Sequence, residues 1–367
     1  MKALILAGGL GTRLRPFTET MPKQLIPIAN QPVLEHVLVN LRALGVREIC
    51  VVVGAWGPDI AARIGDGSRF GARITYLTQH RPLGLAHCVA IARPFLGDDD
   101  FVMYLGDNVV QDGIAVPAEE FRARRSAAHL VVARVPDPRA FGVAELDALG
   151  RVRRLVEKPR LPLSDLALIG VYFFRPAIHR AVAAIGPSAR GELEITDAVQ
   201  WLVDRGSAVT AAEYTGYWKD TGRVEDVLDC NRRLLDTLAR GVHGTVDAAS
   251  RLTGPVHIAP GATVLRSVIT GPVIVGPGSR VEDCRIGPGT SIGGDCVLRG
   301  TELENSIVMD GARVTERAGA SDLLIGRSVR IGSGTPPVPR PTELTTELTT
   351  ELPTELAANG ARTGGAR

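Results

Sequence analysis

The chain of 367 residues has few aromatic side chains, 4% of the total, only five cysteines and a formal net charge of only +2. It also lacks any apolar run near the roughly 20 residues that a membrane-spanning helix needs. Each shortage excludes something. Cys50, Cys88, Cys230, Cys284 and Cys296 form no C-x-x-C pair and no even framework, so they read as reduced thiols of a cytoplasmic protein. A near-balanced charge gives no general pull toward nucleic acid or a membrane surface. The N-terminus reads as a strand from Lys2, not as a signal peptide. The seven histidines are scattered, and none stands beside a plausible nucleophile. The length predicts two domains, because single cores rarely grow beyond about 250–300 residues.

Glycine, by contrast, is plentiful, and its first cluster organises the reading. The apolar run Ala3–Ala7 predicts a buried strand that runs into Gly8-Gly9-Leu10-Gly11-Thr12-Arg13-Leu14-Arg15-Pro16, with Pro22-Lys23-Gln24-Leu25-Ile26-Pro27 close behind. Glycines admit positive φ and bring backbone N–H groups together in a concavity that suits an anion. The cations that follow would meet phosphate charge. A Walker loop is excluded, because Gly11 is followed by Thr12-Arg13 and not by Lys-Ser/Thr. The dinucleotide fingerprint is excluded too, since it would need glycine where Leu14 stands. The remaining readings are a nucleoside-triphosphate loop or a plain glycine turn with surface arginines. The spacing G-G-x-G-T-R-L-x-P followed by P-K-x-L-x-P resembles the sugar-1-phosphate nucleotidylyltransferase family.

Further along, Asn30 is expected to cap a helix through about Leu44, with Val33, Leu34, Val37, Leu38, Leu41 and Leu44 on one stripe. Strands are expected at Glu48–Val53, near Arg73–Leu77 and at Phe101–Leu105, and helices near Gly57–Ile64 and from about Leu85 to Ala92. This alternation predicts a doubly wound α/β sheet with ligands beyond the carboxyl ends of the strands. The glycine loop, Gln79–Gly84 and Asp107 all fall at such ends. From 127 to 175 strands dominate. Helices are expected from the Gly191–Asp197 segment to about Arg205 and from Arg223 to Ala239.

Residues 258–331 are repetitive. Ile258, Val275 and Ile292 lie 17 apart, as do Val264, Val281 and Leu298, and Ile269, Ile286 and Leu303. After a one-residue slip, Val308 and Ile325, and Val314 and Ile331, continue two of the columns. Three aliphatic columns separated by Gly and Pro-Gly turns predict a triangular parallel β-helix of hexapeptide-like repeats. After Gly332, Thr-Glu-Leu recurs four times, a low-complexity tail expected to be disordered. The expected domains are 1–240, 241–332 and a tail over 333–367.

Joining a sugar-1-phosphate oxygen to the α-phosphorus of a nucleotide needs no general base, because the attacking phosphate is already an anion. It needs in-line positioning and charge cancellation. Two unit charges about 4 Å apart interact by roughly 4 kcal/mol at an effective dielectric of about 20, so several cations are required. Arg13 and Lys23 are the candidates, with Mg²⁺ as a third. Mg²⁺ takes one or two carboxylates plus phosphate oxygens. Asp107 and Asp220 are candidate ligands, although an Asp after a strand is more often a turn or cap residue.

The motifs Ile64–Gly71, Pro82–His87, Tyr104–Asn108, Phe141-Gly142-Val143, Glu157-Lys158-Pro159, Gly191–Asp197 and Trp218–Gly222 follow in order. Together they resemble the glucose-1-phosphate thymidylyltransferase branch of that family, in its longer bacterial form, over about residues 1–332. The resemblance implies a Rossmann-like doubly wound mixed sheet forming the nucleotidyltransferase domain, followed by a C-terminal left-handed parallel β-helix. It implies dTTP and glucose 1-phosphate as small-molecule substrates, and Mg²⁺ as cofactor, held by Asp107 and Asp220. Nucleic-acid and membrane partners are not expected, and a homo-oligomer is. Gly8, Gly11, Thr12 and Arg13 would hold the triphosphate. Gln24 would support the nucleotide, and Gln79 and Gly84 would read the thymine edge. Asn108, Gly142, Glu157, Lys158 and Val171 would line the hexose pocket. Lys23 would face phosphate on the sugar side, so that Arg13, Lys23, Asp107 and Asp220 form the expected catalytic set. Glu157-Lys158 read alone is equally a surface ion pair before a Pro turn.

Three rival readings remain: transfer from UTP or another nucleotide, a hexapeptide-repeat acyltransferase using His257, and a non-catalytic chain whose β-helix serves oligomerisation or regulation beside a dead N-terminal domain. As a role for the β-helix alone, oligomerisation is the expected one. On the oligomerisation view, removing the chain beyond about residue 245 changes assembly more than chemistry.

Overall fold

The computed structural model describes residues 1–316 and 319–332. The expected tail over 333–367 lies outside the described residues.

Four strands, β1 (Lys2–Ala7), β2 (Glu48–Val53), β3 (Arg73–Thr78) and β4 (Phe101–Leu105), form a parallel block within a nine-stranded sheet. β1 lies between β2 and β4. Side chains alternate across the pleat, so each strand feeds two apolar layers. Ile5, Val51 and Tyr104 join helices α1 (Val33–Ala43), α2 (Gly57–Ile64), α4 (Ala115–Arg124) and α7 (Val224–Leu235) on one face. Leu4, Val52 and Met103 join α3 (Leu85–Leu96), α5 (Ala177–Ala184) and α6 (Ile195–Asp204) on the other. Covered on both faces, Val51, Val52 and Val53 are all buried, as a continuous apolar run requires.

The sheet is mixed. A short strand β5 (Asn108–Val110) follows β4, and then come β6 (Ala128–Arg134), β7 (Gly142–Leu146), β8 (Val152–Glu157), β9 (Leu166–Phe174), β10 (Val209–Glu213) and β11 (Trp218–Asp220). β9 runs antiparallel to β4, β6 and β7, and β8 runs antiparallel to β7. β11 pairs with β5, away from the main sheet.

Residues 241–331 wind through three parallel sheets, a parallel β-helix. The aliphatic columns pair in register through the slip: Val275 with Ile292, Ile292 with Val308, and Val308 with Ile325. Alternate residues of that sheet point outward, and His257, Ile274, Ser291, Ile307 and Leu324 form the outward column. Its last members are buried. Ile307, Met309 and Leu324 belong to the same apolar cluster as Leu14, Met21, Leu25 and α7 of the sheet domain.

Three expectations are corrected. Asn30 caps no helix. α1 starts after Pro32, and Asn30 sits at φ 62 beside Ala29 at φ 49 in a two-residue hairpin between Pro27–Ile28 and Gln31–Pro32. Left-handed backbone costs an alanine roughly 1–2 kcal/mol, so other contacts must hold this turn. α4 and α5 were not expected. In α4 only Pro117, Ala118 and Phe121 are buried, which is too little for an apolar stripe to show. The repeat read over 258–331 extends upstream to a first coil that starts at Gly241, where Val246 and Leu252 continue two columns at spacings of 18 and 17. His257 is therefore not the only histidine of the coils, since the ring of His243 lies 5.4 Å away.

Candidate active site

β1 delivers the chain to Gly8 at the carboxyl edge of the sheet. Gly11 takes φ 64 and leads into a 3-10 turn over Thr12–Leu14. The loop folds back on the segment that follows, where the Thr18 hydroxyl donates to the Gly11 carbonyl at 2.8 Å. A Cβ at Gly11 would lie 2.9 Å from the Thr18 methyl and 3.2 Å from Lys23 Cβ, and one at Gly9 would lie 3.0 Å from Lys23 Cε. Glycine is therefore needed at Gly11, with its positive φ and a contact below 3.0 Å, while a side chain at Gly9 would press on the end of the Lys23 stem as it passes beneath the loop.

Lys23 reaches Asp107, just beyond β4, and pairs with its Oδ2. The β5–β11 ladder sets Asp220 opposite Asn108. Thr221 fixes the join, donating from its amide and its hydroxyl to the Asp107 carbonyl at 3.0 and 2.8 Å. Two carboxylates 113 positions apart in sequence thus meet beside one ammonium. Burial works against the Lys23 charge, yet Asp107 and then Asp220 outweigh it and hold its pKa above the ordinary range. Burial also opposes the Asp107 carboxylate, but Lys23 and Asn108 keep its pKa below the ordinary range. Asp220 has no direct partner of that strength. Burial and then the Asp107 charge push it up to about 6, against the pull of Lys23 and Arg13.

Asp220 Oδ1 is buried with no hydrogen-bond partner among the described residues. Arg13 lies 4.0 Å from Oδ2 and is more than half exposed. No cluster of three or more His, Cys, Asp or Glu that could hold a metal occurs among the described residues. An orphaned carboxylate oxygen beside a second carboxylate fits Mg²⁺, which completes its shell with water and phosphate oxygens.

At the nucleotide end, Gln79 follows β3. Its side-chain amide donates to the Gly84 carbonyl at 3.2 Å and lies 3.0 Å from His87 Nδ1. A Cβ at Gly84, φ 99, would fall 2.4 Å from the Leu193 carbonyl oxygen. That backbone approach lets Leu193 donate to Leu83 at 2.8 Å and accept from Ala86 at 3.0 Å. Gln24 is buried, and its Oε1 has no partner among the described residues.

The far wall is polar. The Trp218 indole donates to Asn108 Oδ1 at 2.7 Å and meets the Phe141 ring edge-on at 5.4 Å. Gly142 lets the Glu157 carboxylate close on the strand, 3.2 Å from where a Cβ would stand. Glu157 accepts from Thr196 at 3.3 Å and lies within 3.6 Å of Lys158 and 3.4 Å of Arg190. Val171 is fully buried in the core and is paired with Tyr104 across the sheet, so the structure does not bring it to the surface of the pocket. A cleft of about 610 Å³ opens beside these groups, lined among others by Arg13, Phe141, Trp218, Asp220 and Arg223.

Of the expected residues, Gly8, Lys23, Gln79, Gly84, Asp107, Asn108, Gly142 and Glu157 fall on one circuit. Gly8 neighbours Gln79, Gln79 joins Gly84, and Gly84 joins the 191–197 segment, which touches Glu157. Glu157 pairs with Gly142, and Phe141, Trp218, Asn108, Asp107 and Lys23 lead back to Gly9. Thr221, His87 and Arg190 were not singled out. Thr221 lay within the recognised Trp218–Gly222 motif, His87 closed the recognised Pro82–His87 motif, and Arg190 stood just before Gly191.

The nucleotidyl transferase family profile matches residues 2–237. The glucose-1-phosphate thymidylyltransferase of Streptomyces griseus is 53% identical over 94% of this chain and 97% of its own length. That of Streptomyces antibioticus is 51% identical over 90% of this chain and 93% of its own. A solved Bacillus anthracis structure in complex with sucrose, assigned as a glucose-1-phosphate thymidylyltransferase, superposes with a TM-score of 0.61. It is 34% identical and covers 66% of this chain and 97% of that one. With half of all positions shared along nearly its whole length, and with the profile spanning the sheet domain that carries the loop and both carboxylates, the chain belongs to the nucleotidyl transferase family.

Proposed function

We propose that this chain transfers a thymidylyl group from dTTP to α-D-glucose 1-phosphate, giving dTDP-glucose and pyrophosphate. The observation that carries the reading is the meeting of Lys23, Asp107 and Asp220 beneath the glycine loop, with no histidine among them. A sugar phosphate oxygen bonds to the α-phosphorus as the bond from that phosphorus to the β-phosphate bridge breaks, and pyrophosphate leaves. No proton has to be removed from the nucleophile.

Arg13 and the glycine-loop amides would hold the triphosphate. Lys23 would sit between the two phosphate groups and lower their mutual repulsion. Lys158 and Arg190, both beside Glu157, are the cations available to the sugar phosphate, while Glu157 accepts from sugar hydroxyls. Mg²⁺ would be held by Asp107 and Asp220 and, when bound, supplies charge neutralisation at the phosphate oxygens. Gln79 and Gly84 would read the base edge. Among the described residues no helix is long and apolar enough to cross a membrane. The same reading places the reaction in the cytoplasm. A homo-oligomer assembled through the β-helix is part of the same reading.

Initial rates with dTTP, UTP, ATP and GTP at equal concentration test the assignment. Thymine and uracil differ by one methyl, so UTP should follow dTTP within roughly 10–200-fold. A preference for ATP or GTP would overturn it.

A further inference from the structure

The β-helix does more than extend the chain. Asn231 of α7 is fully buried where three segments meet. Its Oδ1 accepts from the Ala29 amide at 2.9 Å and from the Ser291 hydroxyl at 2.6 Å, and its Nδ2 donates to the Gly289 carbonyl at 2.8 Å. Asn30, next to Ala29, donates to the Ile292 carbonyl at 2.7 Å. The hairpin tip, held in left-handed backbone at both residues, is thereby fastened to the fourth coil.

That hairpin is the downstream end of the segment carrying Arg13 and Lys23. The rest of the segment rests on the later coils. Leu14, Met21, Leu25, Ile26 and Ile28 share one apolar cluster with Ile307, Met309 and Leu324. A Cβ at Gly326 would lie 3.8 Å from the Phe17 ring, so the sixth coil touches this segment as well. α7 begins four residues after Asp220, so Asn231 links the carboxylate side of the site to the same coils.

We infer that the β-helix is a structural wall of the phosphate site and that Asn231 is a positioning residue, holding the Lys23 segment and α7 at a fixed separation. The inference rests on the proposed function for its kinetic part, but its structural part needs no substrate. It also revises the expectation that the coils could be removed near residue 245 with little effect on chemistry. Their loss would uncover the apolar side of the loop that carries Arg13 and Lys23.

Full-length Ser291→Ala and Asn231→Ala test this, Ser291→Ala being the milder change. Hydrogen–deuterium exchange without substrate should accelerate over residues 17–32 by about fivefold to tenfold for one lost hydrogen bond, with the central strands unchanged. The kcat should fall by a similar factor while KM for the sugar phosphate stays constant, because Glu157, Lys158 and Arg190 stand on other elements. Unchanged exchange over 17–32, uniform acceleration along the chain, or an unchanged kcat in Ser291→Ala would each overturn the inference. If the wild-type protein proves inactive on dTTP and glucose 1-phosphate, the functional reading fails, and the exchange data still decide whether the latch holds.

Discussion

Asp220 keeps one carboxylate oxygen buried and unpartnered next to a second carboxylate, an arrangement that costs stability and serves a cation. Asp220→Asn removes the repulsion. It should raise the melting temperature of the metal-free protein at pH 8 by roughly 2–4 °C and cut turnover by at least about a hundredfold. Differential scanning calorimetry beside a pyrophosphate-release assay checks both halves. A variant that loses stability and keeps its rate would remove Asp220 from the site. The residue scale is also where reading the chain alone stopped short. Asp107 and Asp220 each look like turn residues, and only the three-residue ladder of β5 with β11 brings them together.

Elements were legible where their signal is local. The β1 loop, the buried strand at Val51–Val53 and the aliphatic columns depend on spacing within a few dozen residues. Elements lacking such a pattern were hidden. α4 has no apolar stripe, and the first coil departs from the 17-residue step. Asn30 precedes a helix, yet tertiary hydrogen bonds claim it for a hairpin.

β6 carries a consequence of the same tertiary kind. His129 is fully buried, and its Nδ1 lies 2.7 Å from the Thr210 hydroxyl. Its Nε2, with no hydrogen-bond partner among the described residues, lies 3.7 Å from a Glu120 carboxylate oxygen, whose attraction for the charged ring does not offset burial. Burial and then the Arg124 charge lower its pKa to about 4. The unfolded chain, with histidine near 6.5, therefore binds more protons between these values. Stability is complete above about pH 6.5 and falls toward pH 4, by up to about 3 kcal/mol from this group. Urea titrations of wild type and His129→Gln at pH 7 and pH 4.5 should give a shallower loss in the variant. Parallel losses would show that His129 charges freely in the folded state.

At the scale of the whole molecule, one apolar layer runs from the sheet through the glycine-loop segment into the later coils. The repeat predicted a β-helix but not what its outward column would meet. Ile307 and Leu324 are outward-facing aliphatics, and their burial depends on a domain more than 200 residues upstream in sequence. The substrate circuit likewise crosses from the Gly8 loop to the 191–197 segment and back through Trp218. Its closure is a property of the assembled domain. The most direct test of the account is to follow pyrophosphate and nucleotide-sugar formation together in the purified protein with dTTP, glucose 1-phosphate and Mg²⁺. The account predicts one pyrophosphate per dTDP-glucose, with neither product when the sugar phosphate or the metal is left out. Pyrophosphate release without the sugar phosphate, or no nucleotide sugar in the complete mixture, would contradict it.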